Sequence, residues 1–333
     1  MPLPQAQCAD HPSPQAIVLQ QSCTSVTGYL HPAYADAMAE FGAPRALVNS
    51  GGWVLERQVR AGGPTGAADA RDAMGLYPLF ACRDWSQLER DLEELGQGLV
   101  SLVLVADPFG GFSVPDLERC FPDKLIHFKD HHVVDLRAYT GAGIARHHRR
   151  NVQQALRALE VELCPEPGAL RTQWVELYGN LVRRHDIRGM AAFSPASLAK
   201  QLEVPGLTLF GARHEGEVAG LVLFYEQDEI VYYHLGAYTD AGYAARASYA
   251  IFSQAIQYFA DRSLRWLDLG AGAGLSGEAE DGLTRFKRGW ATGVRPAYLC
   301  GRIFDPARYQ ELARATGNEA AAYFPAYRKG EFG

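Results

Sequence analysis

The sequence predicts a mixed α/β protein of two domains, and three features predict it. The chain has 333 residues, more than one ordinary domain holds and about right for two. Within 207–237, three strand-like segments follow one another through tight turns, which makes them antiparallel neighbours. An apolar helical stretch, 247–261, then crosses over to a further short strand at 265–269, so the sheet has to be mixed.

Residues 1–15, with Pro2, Pro4, Asp10, Pro12 and Pro14, have neither a basic start nor an apolar stretch. They read as a disordered leader and not as a signal peptide. A first domain is expected over 16–140. There 52–59 alternates as a strand should, and 75–82 is a second strand candidate. The stretch between them, 61–72, is rich in Gly, Ala, Pro and Asp and reads as a loop. Residues 84–95 open on an acidic N-cap and repeat apolar residues at helical spacing. A buried strand follows at 99–106, then the Asp107-Pro108-Phe109-Gly110-Gly111 turn, then a strand at 126–136.

A second domain is expected over 141–305, with a C-terminal helix and tail over 306–333. Residues 149–160 form an amphipathic helix with Val152, Ala155, Leu156 and Leu159 on one face. Helices follow at 170–185 and 197–202, then strands at 207–213, 218–225 and 230–237. The helix 247–261, a strand 265–269, a glycine-rich loop 270–277, a basic helical turn 282–289 and a long strand 294–304 complete it. No repeat is visible residue by residue, although both halves run in a similar order.

Composition narrows the function. With 47% hydrophobic and 21% charged residues the balance is that of a soluble globular protein. A formal net charge of −6 argues against a general nucleic-acid binder. No segment approaches the roughly 20 apolar residues of a membrane helix. The six cysteines, Cys8, Cys23, Cys82, Cys120, Cys164 and Cys300, are scattered without a Cys-x-x-Cys pair. They read as reduced thiols of a cytoplasmic protein, and a zinc site is not expected.

The run Trp266-Leu267-Asp268-Leu269-Gly270-Ala271-Gly272-Ala273-Gly274 invites two nucleotide readings. An acidic strand end before glycines is how an S-adenosylmethionine methyltransferase begins its cofactor site. Gly272, Gly274 and Gly277 also satisfy the dinucleotide fingerprint. Both need a helix straight after the loop and a parallel sheet beyond it. Here Glu278, Glu280 and Asp281 occupy the place of the phosphates, and 59 residues remain after Gly274. A plain connection is favoured, with the methyltransferase kept as an alternative.

Two segments together carry a family resemblance. Asp135-Leu136 leads into Arg146-His147-His148-Arg149-Arg150-Asn151 and on to Arg157, and about 130 residues later Trp266-Leu267-Asp268-Leu269-Gly270 precedes Gly282-Leu283-Thr284-Arg285-Phe286-Lys287-Arg288-Gly289-Trp290. In content and order these resemble the FemAB-like and BioF2-like branch of the GNAT acyltransferases, well over about 130–305 and loosely before that. The resemblance implies tandem GNAT-like domains, the N-terminal one degenerate. It also implies transfer of an acyl group from acyl-coenzyme A, or an aminoacyl group from aminoacyl-tRNA, to an amine. Strands 230–237 and 265–269 would splay around the reacting centre, with the helix 247–261 beside the donor. The family's pyrophosphate loop would fall at Asp240 to Arg246, which keeps Gly242 and Arg246 but not the usual spacing. That departure tilts the reading toward an unusual donor.

Amine acylation needs positioning, a path for a proton and a charge for the carbonyl oxyanion. Lys287 and Arg288 offer the charge, to an oxyanion or to donor phosphates, against a plain solvated turn. Asp268 offers a proton acceptor, against a cap of the glycine loop. His234 and Tyr233 sit on the strand expected to border the cleft. Alternation sets His234 opposite Tyr233 and Leu235, and a satisfied core histidine is the simpler reading. Tyr298 could protonate a leaving group, against simple packing. Arg246, with Gly242, is the phosphate candidate. The cluster Arg146, Arg149, Arg150 and Arg157 would suit tRNA or another phosphate-bearing partner, against a solvated helix face. The pairs His131-His132 and His147-His148 point apart and chelate poorly, so no metal is expected. A non-catalytic GNAT-like binding module is the alternative outside the enzymes. The acceptor stays open among peptidoglycan and other cell-envelope precursors, exopolysaccharide sugars and small-molecule amines, and so does the oligomeric state.

Overall fold

The computed structural model describes residues 26–59, 70–141, 143–262, 264–272 and 281–331. The expected leader, Cys8, Cys23, Gly274 and Gly277 lie outside the described residues. Eleven strands are seen among the described residues: β1 Ala43–Leu47, β2 Gly52–Gln58, β3 Arg71–Gly75, β4 Ser101–Ala106, β5 Lys124–Asp135, β6 Glu160–Cys164, β7 Leu207–His214, β8 Glu217–Gln227, β9 Ile230–Tyr238, β10 Trp266–Gly270 and β11 Gly293–Ile303. The helices are α1 Pro32–Ala37, α2 Leu88–Leu95, α3 Val114–Cys120, α4 Arg146–Ala155, α5 Arg171–His185, α6 Pro195–Gln201, α7 Asp240–Ala244, α8 Ala247–Asp261, α9 Gly282–Arg288 and α10 Pro306–Ala315. No helix among them is long and apolar enough to cross a membrane.

All eleven strands join in one mixed sheet, in the order β1-β2-β3-β4-β11-β5-β10-β9-β8-β7-β6. The mixed α/β class is the one predicted. β3–β4 and β9–β10 are the parallel pairs, each formed after a helix crosses over, α2 in the first half and α8 in the second. Each half therefore runs antiparallel meander, helix, parallel strand, helix, long strand. The long strands are exchanged: β5 pairs with β10 of the second half, and β11 pairs with β4 of the first. β10 has one parallel and one antiparallel neighbour. A methyltransferase or dinucleotide site needs a parallel sheet there, and the antiparallel β5–β10 pairing departs from that.

Local chemistry sets the turns. The β7–β8 hairpin closes on Glu215 (φ 51°) and Gly216 (φ 84°), the left-handed pair of a two-residue turn. Asp281 caps α9, its Oδ1 accepting from the Thr284 amide at 2.7 Å. β8 is buried on both faces, which explains its unbroken apolar run. Leu221, Leu223 and Tyr225 pack with Trp174 and Tyr178 of α5, whereas Val222 and Phe224 pack with Phe252 and Phe259 of α8.

One expected strand is displaced. The candidate at 75–82 is irregular, and the strand lies just before it at β3. Pro78 has no amide hydrogen to give a ladder, and only Phe80 bridges to Ala106.

Candidate active site

The site forms where β9 and β10 part. Their ladder runs from Trp266↔Ile230 to Asp268↔Tyr232 and ends there. Just beyond, β9 carries a bulge: Tyr233 pairs with Phe224 and Leu235 with Leu223, which leaves His234 as the extra residue. A bulge bends its strand, and here it bends β9 at the point of divergence. It also corrects the expected alternation. Leu235 packs in the same core as Tyr232 and not with Tyr233.

A cavity of 190 Å³ fills the gap, bordered by Tyr233, His234, Asp268 and Lys287 together with His131 and Lys129. Four of the five residues expected to be catalytic therefore meet. Asp268 is 2% exposed, and its Oδ1 accepts from the Gly270 amide at 2.7 Å. Its Oδ2 stands 2.8 Å from Nδ1 of His131. An ionised carboxylate there holds the proton on Nδ1 and leaves the Nε2 lone pair of a neutral ring available.

Lys287 enters from α9, whose last turn is basic. It is 6% exposed, and its Nζ donates to the Ala271 carbonyl at 2.5 Å and lies 5.4 Å from the centre of the Tyr233 ring. Burial pushes its ammonium down to about 8, opposed by the Asp268 carboxylate and reinforced by Lys129. Lys129 Nζ reaches the Gly272 carbonyl at 3.3 Å, and burial lowers its pKa as well. Burial pushes the Tyr233 phenol well up.

His234 borders the cavity but is fully engaged. Nε2 meets Oε1 of Gln201 at 2.9 Å and Nδ1 meets the Tyr29 hydroxyl at 3.2 Å. The Gln201 amide is turned toward Ser197, so Nε2 donates and Nδ1 accepts. Burial pushes its pKa down to about 3, which keeps the ring neutral.

The remaining candidates lie elsewhere. Tyr298 on β11 points away from the cavity, its ring 6.3 Å from His127. Residues 240–244 form helix α7 and not an open loop, capped by Thr239 Oγ1 accepting from the Gly242 amide at 3.0 Å. A Cβ on Gly242 would stand 1.9 Å from the Ala219 carbonyl oxygen, so this glycine serves close packing against β8. Arg246, at φ 62°, is the N-cap of α8, which has no side-chain cap. Arg288 is exposed on α9. Arg146, Arg149 and Arg150 are exposed on α4, and Arg157 is exposed just after it. The Ala145 amide donates to the Gly289 carbonyl at 3.1 Å, which sets the start of α4 beside Arg288. Basic residues at a helix start oppose its dipole, and α4 has no acid in its first turn to offset them. No group of metal-binding side chains is found among the described residues.

Sequence reasoning missed His131, Lys129, Tyr29 and Tyr232. Tyr232 donates to Oδ2 of Asp107 at 2.6 Å, and burial pushes that carboxyl up to about 6. Beyond Tyr232 lies a larger, polar cavity of 440 Å³ bordered by Asp84, Asp107 and Asp228.

Comparison with known proteins agrees with this architecture. Residues 144–288 match the family model of the acetyltransferase (GNAT) domain. The fold is similar to the C-terminal domain (DUF2156) of a putative lysylphosphatidylglycerol synthetase from Agrobacterium fabrum, with TM-score 0.55 and 15% identity over 85% of this chain and 91% of that one. It is equally similar to FemX, with TM-score 0.55 and 13% identity over 84% and 92%. L-PGS from Bacillus licheniformis follows, with TM-score 0.52 and 13% identity over 87% and 97%. A search of curated proteins gave no match.

Proposed function

We propose that this protein is an acyltransferase that moves an acyl or aminoacyl group onto an amine in the cavity between β9 and β10. The observation that carries the reading is the Asp268–His131 pair facing the buried Lys287 ammonium at the point where the strands part. The GNAT-domain match over 144–288 spans β9, β10 and α9 and supports the same chemistry.

In this reading Asp268 fixes the His131 ring, and His131 Nε2 takes a proton from the attacking amine. The nitrogen–carbon bond forms as negative charge gathers on the carbonyl oxygen, and Lys287 stabilises that charge. The bond from the acyl carbon to the donor's sulfur or oxygen then breaks, and the leaving atom takes up the proton. Acyl-coenzyme A would lay its phosphates at the start of α8 beside Arg246. An aminoacyl-tRNA would use Arg146, Arg149, Arg150 and Arg157 together with Arg288. The acceptor would be a small-molecule or cell-envelope precursor amine. The first half, 16–140, is read as a degenerate GNAT-like domain that supplies β5 and His131 to the site built by 141–305.

Release of coenzyme A thiol in the presence of an amine panel tests this. Asp268→Asn and Lys287→Met should each lower kcat by about a hundredfold or more. Unchanged turnover in both would remove the cavity from the reaction.

A further inference from the structure

We infer that an apolar arm opening off this cavity holds the hydrocarbon chain of the acyl donor, so that medium or long acyl groups are preferred to acetyl. The inference rests on the acyl-transfer reading and adds the class of group transferred.

A second cavity, of 380 Å³, shares Tyr77, Pro78, Val105 and Phe128 with the one that holds Asp268. The two cavities thus share a wall of four residues, along which a group anchored at Lys287 is inferred to continue. The floor of the arm comes from the exchanged strands. Leu299 of β11 pairs with Val105 of β4 on one side and with Ile126 of β5 on the other. Directly paired side chains share a face, so Val105, Leu299 and Ile126 form one apolar row. Val103, two residues before Val105, extends it. The opposite face of β4 carries Leu102 and Leu104, which are packed in the core under α2. The row itself stays open enough to leave Ile126 42% exposed. Its volume falls in the ordinary range for small-molecule sites, roughly 300–1,000 Å³.

Polarity separates the two substrates. The charged side chains among the described residues lining the arm are Arg57, Lys124 and Arg328, and Arg57 and Arg328 are already ion-paired with Asp72 and Glu331, which leaves the apolar row as the arm's dominant surface. An amine acceptor arrives as an ammonium ion and is drawn to carboxylates, and three of these, Asp84, Asp107 and Asp228, border the cavity beyond Tyr232 against one cation among the described residues, Arg83. The alkyl chain of the acyl group is uncharged and matches the apolar row.

Calorimetric binding of coenzyme A thioesters from 2 to 12 carbons to the full-length protein tests the arm. Each methylene should tighten binding about fourfold until the arm is full, the ratio that follows from burying one CH2. Val103→Phe and Leu299→Trp fill the arm without touching the central cavity. They should flatten the series while leaving acetyl-coenzyme A binding unchanged. Either variant suffices if the other does not fold, and the native series stands without them. A flat native series overturns the arm alone. Loss of binding for every thioester overturns the arm together with the coenzyme A donor, and turnover assays then judge the transfer reading separately. A steep dependence among alkylamines of increasing length, with none among thioesters, assigns the arm to the acceptor and overturns the inference.

Discussion

Lys287 carries a charge in a place that resists it. Burial moves its pKa from the ordinary 10.5 to about 8. Between those values the unfolded chain binds the extra proton, so stability rises with pH through that window. Below about pH 8 the folded protein must hold the buried ammonium at full cost. Lys287→Met should therefore stabilise the fold at pH 7 by about 1–3 kcal/mol, with the gain fading toward pH 10, while transfer is lost. Thermal melts of both proteins across that range measure it, and a pH-independent difference would show that the charge is not strained. His234 works in the opposite sense. Its folded pKa, pushed down to about 3, lies below that of a solvated histidine, about 6.5. The unfolded state gains a proton as pH falls through that window, so stability is present above it and lost toward acid. His234→Gln should flatten the acid loss of stability and leave turnover at neutral pH in place. His131→Gln should lower turnover about a hundredfold, and the converse pattern would make His234 the base. Asp268 and Lys287 could be picked out of the sequence because a strand end and a basic turn lie beside them. His131 could not, because its partner is 137 residues away and the two meet only through β5–β10 pairing.

At the scale of elements, the strongest periodicities located the helices and strands that build the site. α8 falls where its apolar run places it, and β7, β8 and β9 where their alternation and turns do. What stayed hidden was short or locally irregular. β1 and β6 have five residues each, too few for a period to register against its surroundings. α3 carried a signal that the apolar pattern drowned: Ser113 and Asp116 form a reciprocal capping box. The His234 bulge leaves no mark in the sequence, and it decides which way the residues after it face. The connection from β9 to α8 tests how far packing here controls the donor end. Gly242 lies against the Ala219 carbonyl with no room for a methyl group. Gly242→Ala should push α7 off β8, cost about 1–3 kcal/mol in urea melts, and weaken donor binding by shifting Arg246 and the start of α8. Unchanged donor affinity with lowered stability would separate α7 from the donor site.

Across the whole molecule, the exchange of long strands ties the two halves together. A chain cut between 140 and 141 leaves β5 on one piece and both of its partners, β10 and β11, on the other. β11 in turn loses β4 as well as β5, so it has no neighbour within its own piece. The boundary expected at 140/141 thus falls between strands that pair with one another, because strand pairing across distant sequence leaves no local trace. Each fragment alone would expose a long unpaired edge with apolar side chains, a template for aggregation. Expressed separately, 1–140 and 141–333 should be insoluble or melt without cooperativity. Expressed together, they should form a 1:1 complex that melts in a single transition near that of the intact chain. Cooperative melting of either fragment alone would mean that the exchanged strands dock onto a finished domain. Their role in bringing His131 to Asp268 would then be one of attachment and not of folding.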